Sequence, residues 1–168
     1  MEVFETIRTR LETREFDPKP VPSDVKREVL EAARLSPSSM NTQHWRFILV
    51  DSKEELNKLS ELSTTGQWVK NANFAVVVLT DPKVAAHMLD AGRAISYMQL
   101  AAWSRGVGSR IYTGLNADAM RNHFNIPPNF NITAVLGFGY PAKRVLGKKR
   151  RLPLDEIVFH QKFNQKLR

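Results

Sequence analysis

The 168-residue chain contains no cysteine. Disulfides, thiolate nucleophiles and cysteine-ligated zinc are thereby excluded, and the absence fits a reducing cytosol or a hot one. No P-loop occurs, and the glycine pairs at 106/108 and 137/139 never continue into a complete G-x-G-x-x-G, so a Rossmann nucleotide site is not expected. A G-x-S-x-G elbow is missing too, and Ser38 and Ser39 have no general base visible in the sequence. The four histidines (His44, His87, His123 and His160) are scattered without a metal-ligand spacing. Long apolar runs are also lacking. The most apolar stretch, 84–103, is interrupted by His87, Asp90 and Arg93 and reads as a buried helix rather than a membrane span. The opening segment MEVFETIRTR starts acidic and becomes a charged amphipathic helix, unlike a leader peptide, so the expected location is cytoplasmic.

What is present is ordinary for a globular chain: 42% hydrophobic and 25% charged residues, in a length that suits one domain spanning 1–168 with a core that needs neither disulfide nor metal. The charge is less ordinary. The formal net value is +8, and six of the nine residues from Lys143 to Arg151 (KRVLGKKRR) are basic. Such a bias attracts phosphate, on a nucleic acid or on a small cofactor, although a solvated basic surface alone would also account for it.

The pattern alternates helices and strands. A short helix over 2–11 gathers Val3, Phe4, Ile7 and Leu11 on one face. The prolines of REFDPKPVP then impose an extended connector. Ser23 is the expected N-cap of a second helix with Val25, Val29, Ala32 and Ala33 inward. WRFILVD reads as a strand, about 53–63 as a helix, and FAVVVLTD as a central strand. The Ala-rich helix at 84–104 is apolar on most of its surface, which requires cover on more than one side. RGVGSRIYTGL reads as a Gly-punctuated loop with a short strand, Asn116 caps a helix running to His123 or Phe124, and ITAVLGFGYP is another central strand. The tail from 142 is basic and then amphipathic. Strands and helices do not follow a regular βα repeat, which points to an α+β fold.

Three segments carry complementary chemistry. Arg10 and Arg14 lie near one end, and Lys149, Arg150 and Arg151 near the other; guanidinium forks suit a phosphate. Between helix and strand, SPSSMNTQ concentrates more side-chain hydrogen-bonding groups than a turn needs. Ser38, Ser39 and Asn41 suit a polyol or a ring edge. In GSRIYTG, glycines 108 and 114 let backbone amides approach a flat ligand. A ligand with a phosphate, hydroxyls and a flat polar ring would use all three, and FMN fits that description.

Four pieces in order (IRTRLETREF, PSSMNTQHWRF, GVGSRIYTG and VLGFGYP…KKRRLPLDEIV) resemble the FMN-dependent nitroreductase family from about residue 3 to 163. The resemblance implies a nitroreductase-like α+β fold, with a central mixed, mainly antiparallel sheet between helices. It also implies an intertwined homodimer with FMN at the subunit interface, each site built from both chains. Arg10, Leu11, Glu12 and Arg14 then correspond to contacts with the phosphate, the ribityl chain and the N1/O2 edge of the ring. Lys149 and Arg151 match a phosphate-binding pair. Pro37, Ser38, Ser39 and Asn41 match a stretch contributed by the partner subunit against the flavin. Ile111, Tyr112 and Thr113 match a backbone-contacting stretch beside the ring, and Gln67 is a further candidate contact.

The implied activity is a ping-pong exchange between NADH or NADPH and a nitroaromatic, quinone or flavin acceptor, with no catalytic acid or base and no metal. Two alternatives accompany it: other flavin chemistry on the same fold (dehalogenation or flavin destruction), and a basic nucleic-acid-binding module using 143–151. The Ser/Asn and Gly segments, which a phosphate-backbone binder does not need, favour the flavin.

Two positions depart from the family pattern. Glu12 brings a carboxylate to a phosphate site and is expected to pair with Arg10 or Arg14, or to face the ribityl hydroxyls. His44 stands where proline is usual, which is expected to loosen the turn and place a titratable ring near the site. The span from Trp103 to Ile132 leaves little room for an inserted lid, so an open site is expected.

Overall fold

The computed structural model describes residues 2–145, 147 and 149–167. Its sheet has the order β1-β2-β4-β3, comprising β1 (Arg46–Val50), β2 (Phe74–Thr80), β3 (Gly108–Tyr112) and β4 (Asn131–Gly139). Every neighbouring pair is antiparallel. The two apolar runs expected at the centre are there, and the reason is burial on both faces. Along β2, Phe74, Val76 and Val78 enter one core with Leu136 and Phe138. The alternate residues Ala75, Val77 and Leu79 enter a second core with Val135. A strand whose period-two pattern meets a core on each side reads as continuous hydrophobicity. Phe74 and Phe138, opposite each other in register, stack with ring centroids 4.8 Å apart.

Helices α2 (Ser23–Arg34) and α4 (His87–Ser104) cover the first face. On the second lie α3 (Lys53–Glu61) through Leu56 and Leu59, and α5 (Ala117–Phe124) through Met120. Helix ends follow side-chain chemistry in two cases. Ser52 Oγ accepts the Glu55 N–H at 3.2 Å, and Asn116 Oδ1 accepts the Ala119 N–H at 3.1 Å, as expected for Asn116. Ser23 behaves differently from the expectation. It is the first helical residue, preceded by Pro22 with no side-chain cap, because the extended Pro22 already sets the entry angle.

The N-terminal helix α1 spans Val3–Thr9, and α6 is a single turn at Leu154–Ile157. Between α1 and α2 the proline-bearing connector lies along the sheet edge. Glu12 forms a parallel bridge to Ser109 of β3, and Phe16 an antiparallel one to Pro141. The Thr13 N–H donates to the Ser109 carbonyl at 3.0 Å. Gly108 makes this approach possible, since a Cβ there would stand 1.8 Å from Thr13 Oγ1. Residues 10–14 are thereby held against a rigid strand. Among the described residues no helix is long and apolar enough to cross a membrane.

Candidate functional site

The connector and the basic tail meet in a groove of about 710 Å3, whose walls include Arg10, Leu11, Glu12 and Arg14 on one side and Lys149 and Arg151 on the other. Six of the residues picked from the sequence are therefore brought together from the two ends of the chain. The Lys149 ammonium donates to the Ile7 carbonyl at the end of α1. Of the basic run 143–151, residues 146 and 148 lie outside the described residues.

The groove has a surplus of positive charge. Glu12 pairs with Arg10 at 2.6 Å, which resolves one of the expectations for that carboxylate. Glu15 pairs with Lys143 at 3.0 Å. Arg14 has no hydrogen bond or ion pair among the described residues, and the Arg10 Nε–H is buried without a partner. Burial, reinforced by the Arg10 and Arg151 charges beside it, holds Lys149 below the usual lysine range. Cations crowded closely enough to disfavour one another, with a buried donor unanswered, form a site suited to a multiply charged oxyanion. These residues fit a phosphate-bearing cofactor.

None of the remaining candidates lines this groove. Pro37, Ser38, Ser39 and Asn41 lie in the turn between α2 and β1, whose centre is a 3-10 turn at Ser39–Asn41. Three of its non-glycine residues have left-handed backbone: Met40 (φ 49°), Asn41 (φ 54°) and Gln43 (φ 48°). Asparagine tolerates this region, but methionine and glutamine are held there at roughly 1–2 kcal/mol each. Met40 is also 92% exposed.

The strained turn is pinned from beneath. Asp90, on the inner side of α4 and 1% exposed, accepts the Ser39 N–H through Oδ2 at 2.9 Å. The same oxygen faces His44 Nε2 at 3.2 Å, and Oδ1 takes a guanidinium N–H from Arg93 at 3.1 Å. Burial alone would raise the Asp90 pKa; the Ser39, His44 and Arg93 donors outweigh it and hold the carboxyl below its ordinary value. Ser38 Oγ, in turn, accepts the Gln43 N–H at 3.0 Å. His44 was expected to loosen this turn. Instead its ring is buried and bound to Asp90, so a hydrogen bond stands in for the rigidity of a proline. In the sequence Asp90 stands out only as an interruption of an apolar run. The available signal was a lone acid at a core position of an apolar helix, which demands partners.

Ile111 and Tyr112 end β3, with Thr113 just beyond it. The Tyr112 side chain is buried edge-on to Trp68 with its hydroxyl unpartnered, and burial pushes its phenol well above the usual range. Only its backbone is available to a ligand. Gln67 opens a 3-10 turn, and its side-chain amide donates to the Ser63 carbonyl at 3.1 Å. Between Trp103 and Ile132 lie β3 and the core-packed α5, joined by short connections.

The Nitroreductase family profile matches residues 7–84 and 64–140, and thus most of the chain, including the connector, the strained turn and β3. The chain belongs to the nitroreductase family. Membership makes it an oxidoreductase. A protein of Archaeoglobus fulgidus with the provisional name NADH dehydrogenase/NAD(P)H nitroreductase is 34% identical over 150 residues, covering 83% of this chain and 86% of that one. A similarly named protein of Methanothermobacter thermautotrophicus is 32% identical over 152 residues, covering 85% and 79%. Among solved structures, an FMN-dependent nitroreductase from Clostridium difficile superposes with a TM-score of 0.87 at 27% identity, covering 95% of this chain and 99% of its own. The α+β nitroreductase fold expected from the sequence is therefore the fold of this family member.

Proposed function

We propose that the protein is a homodimeric, FMN-dependent NAD(P)H oxidoreductase that works by a ping-pong mechanism on nitroaromatic, quinone or flavin-type acceptors. The observation that carries the reading is the groove. Four cations from opposite ends of the chain converge there, with Arg14 free of partners among the described residues and the buried Arg10 Nε–H unanswered. The names of two relatives agree with this cofactor: the Clostridium difficile enzyme is FMN-dependent, and a Bacillus subtilis protein 28% identical over 184 residues is an FMN reductase using NAD(P)H.

Bound FMN supplies the redox chemistry, for which no side chain of the site is equipped. The chain's own part is to bind and to tune. Lys149 and Arg151 join Arg10 on the phosphate. Arg14 is assigned to the N1/O2 edge of the ring, where its permanent charge raises the electron affinity of the cofactor. Glu12, already neutralised by Arg10, faces the ribityl hydroxyls without repelling the phosphate. Ile111, Tyr112 and Thr113 offer backbone groups beside the ring, and Gln67 approaches from the loop before β2. No acid or base is assigned.

Pro37, Ser38, Ser39 and Asn41 come from a second copy of the chain. Two features support that arrangement. The outer side of α4 exposes Met88, Leu89 and Tyr97, and α1 exposes Val3, Phe4 and Ile7; contiguous apolar faces of this kind mark contact surfaces. Gly92, on the same side of α4, has nothing within 4 Å of where its Cβ would be. A mid-helix glycine costs about 1 kcal/mol relative to alanine, and nothing among the described residues requires it.

The deciding experiment is the visible spectrum of the freshly purified protein, before and after NADH or NADPH is added without oxygen. A two-banded yellow spectrum that bleaches supports the reading. A colourless protein that takes up no added FMN overturns it and turns attention to salt-dependent nucleic-acid binding by the 143–151 cluster.

A further inference from the structure

We propose that Asp90 is a positioning residue of the flavin site: from inside α4 it holds the 38–43 turn in its strained shape, and so sets how the turn presents Ser38, Ser39 and Asn41. The inference rests on the reading that FMN lies against this turn in the dimer.

The argument begins with the backbone. A turn with Met40, Asn41 and Gln43 all at positive φ does not keep that shape by propensity, because each residue has a lower-energy alternative. Something in the surroundings must over-determine it. The bonds internal to the turn are few: Ser38 Oγ with the Gln43 N–H, a 3.4 Å contact from the Gln43 amide to the Asn41 carbonyl, and two backbone bonds, from Asn41 to Ser38 and from Thr42 to Ser39. From outside, the Arg46 guanidinium donates to the Gln43 carbonyl at 3.0 Å on the exposed side, and the restraint from the core is one carboxylate. Asp90 grips the turn at both ends, through the Ser39 N–H and through the His44 ring, on a single oxygen. Its other oxygen is fixed by Arg93, one helical turn along α4.

The side chain of Asp90 is fully buried, and its own position is set by a helix packed into the core. Precision in a binding loop comes from such a rigid supporting group rather than from the loop. The placement has a second consequence. Asp90 and Gly92 sit two residues apart on opposite sides of α4. The helix that fixes the turn on its inner side is the one whose outer side is left open for the second copy. Turn and partner are thereby referenced to a single rigid element.

The test compares Asp90→Asn with wild type. Asparagine keeps the size and an acceptor for Ser39 but loses the charge that binds His44 and Arg93. Three readouts apply: amide hydrogen exchange at residues 38–43 in the cofactor-free protein, FMN affinity by fluorescence titration, and the split between kcat and KM. The expected result is a folded dimer in which exchange in the turn rises and FMN binds about tenfold more weakly, the loss expected when a supporting group of a preorganised site is removed. His44→Phe serves as a second variant should Asp90→Asn not fold. It keeps a ring against Trp45 and removes only the bond to Asp90, and it is expected to raise exchange in the same residues with about a threefold loss of FMN affinity. A folded variant with wild-type exchange in the turn and wild-type FMN affinity overturns the proposal. A wild-type protein that binds no FMN overturns the functional reading beneath it, and is told apart because no variant is then needed to see the failure.

Discussion

Helices α2 and α4 pack against each other on one face of the same sheet, yet their outer surfaces differ. The inner row of α2 is Val25, Val29 and Ala33, and its outside carries charges such as Arg27, Glu28, Glu31 and Arg34. That outside meets water. The inner row of α4 is Ala91, Ala94, Met98 and Ala102, but its outside offers Leu89, Gly92, Ser96 and Tyr97, with Leu89 60% and Tyr97 44% exposed. Both helices use their inner face in the same way. The contrast teaches that α2 turns charge to water, while α4 leaves an apolar face open, the face assigned to the second copy in the proposed dimer.

Substitutions can break that contrast or sharpen it. The largest effect is expected from Gly92→Trp. Open space surrounds the Cβ position, so the chain itself should fold, while a dimer packed on this face should not form; sedimentation should show monomers, with FMN affinity down at least hundredfold, about 3 kcal/mol. A variant that stays dimeric would show that α4 does not lie in the interface. Next comes Val29→Ala, which empties a fully buried site on α2. Unfolding in denaturant should lose about 2 kcal/mol, with the oligomeric state unchanged.

Arg14→Ala lies on neither helix and separates cofactor binding from assembly. FMN should bind about tenfold more weakly, ~1.4 kcal/mol, with a lowered flavin reduction potential. Unchanged values for both would remove Arg14 from its assigned place at the ring. Gly92→Ala is a finer probe. In a helix facing water it should stabilise by about 1 kcal/mol, but on a closely packed interface it should weaken the dimer by a similar amount. The smallest effect belongs to Arg27→Ala on the outside of α2, expected within about 0.5 kcal/mol by thermal unfolding.

The same contrast explains what could be read from the sequence. Periodicity reports burial, so β2 and β4, covered on both faces, and α2, covered on one, were visible as patterns. The apolar surface of α4 was visible as well, as a helix needing cover on more than one side. Of the candidate site, the cationic residues at both ends were legible because a site suited to phosphate carries a charge signature. Their meeting in one groove was legible only through the family resemblance, since nothing local records that Lys149 lies against Ile7. The support beneath the turn was not legible. Asp90 and His44 are 46 residues apart, and each has an ordinary explanation alone. Ser23 misled because its propensity to cap was real, but Pro22 had already fixed the start of the helix.

The groove joins segments 142 residues apart, where Lys149 reaches the Ile7 carbonyl, and beyond it the tail carries Leu154, Ile157 and Phe163 largely in the open. An anion shared between Arg10 and Lys149, as proposed, would therefore act as a clasp between these two segments. By mass action, whatever binds there stabilises the closed arrangement over one in which the tail is released. In a cell short of flavin, the unclasped tail would be the first segment open to proteases.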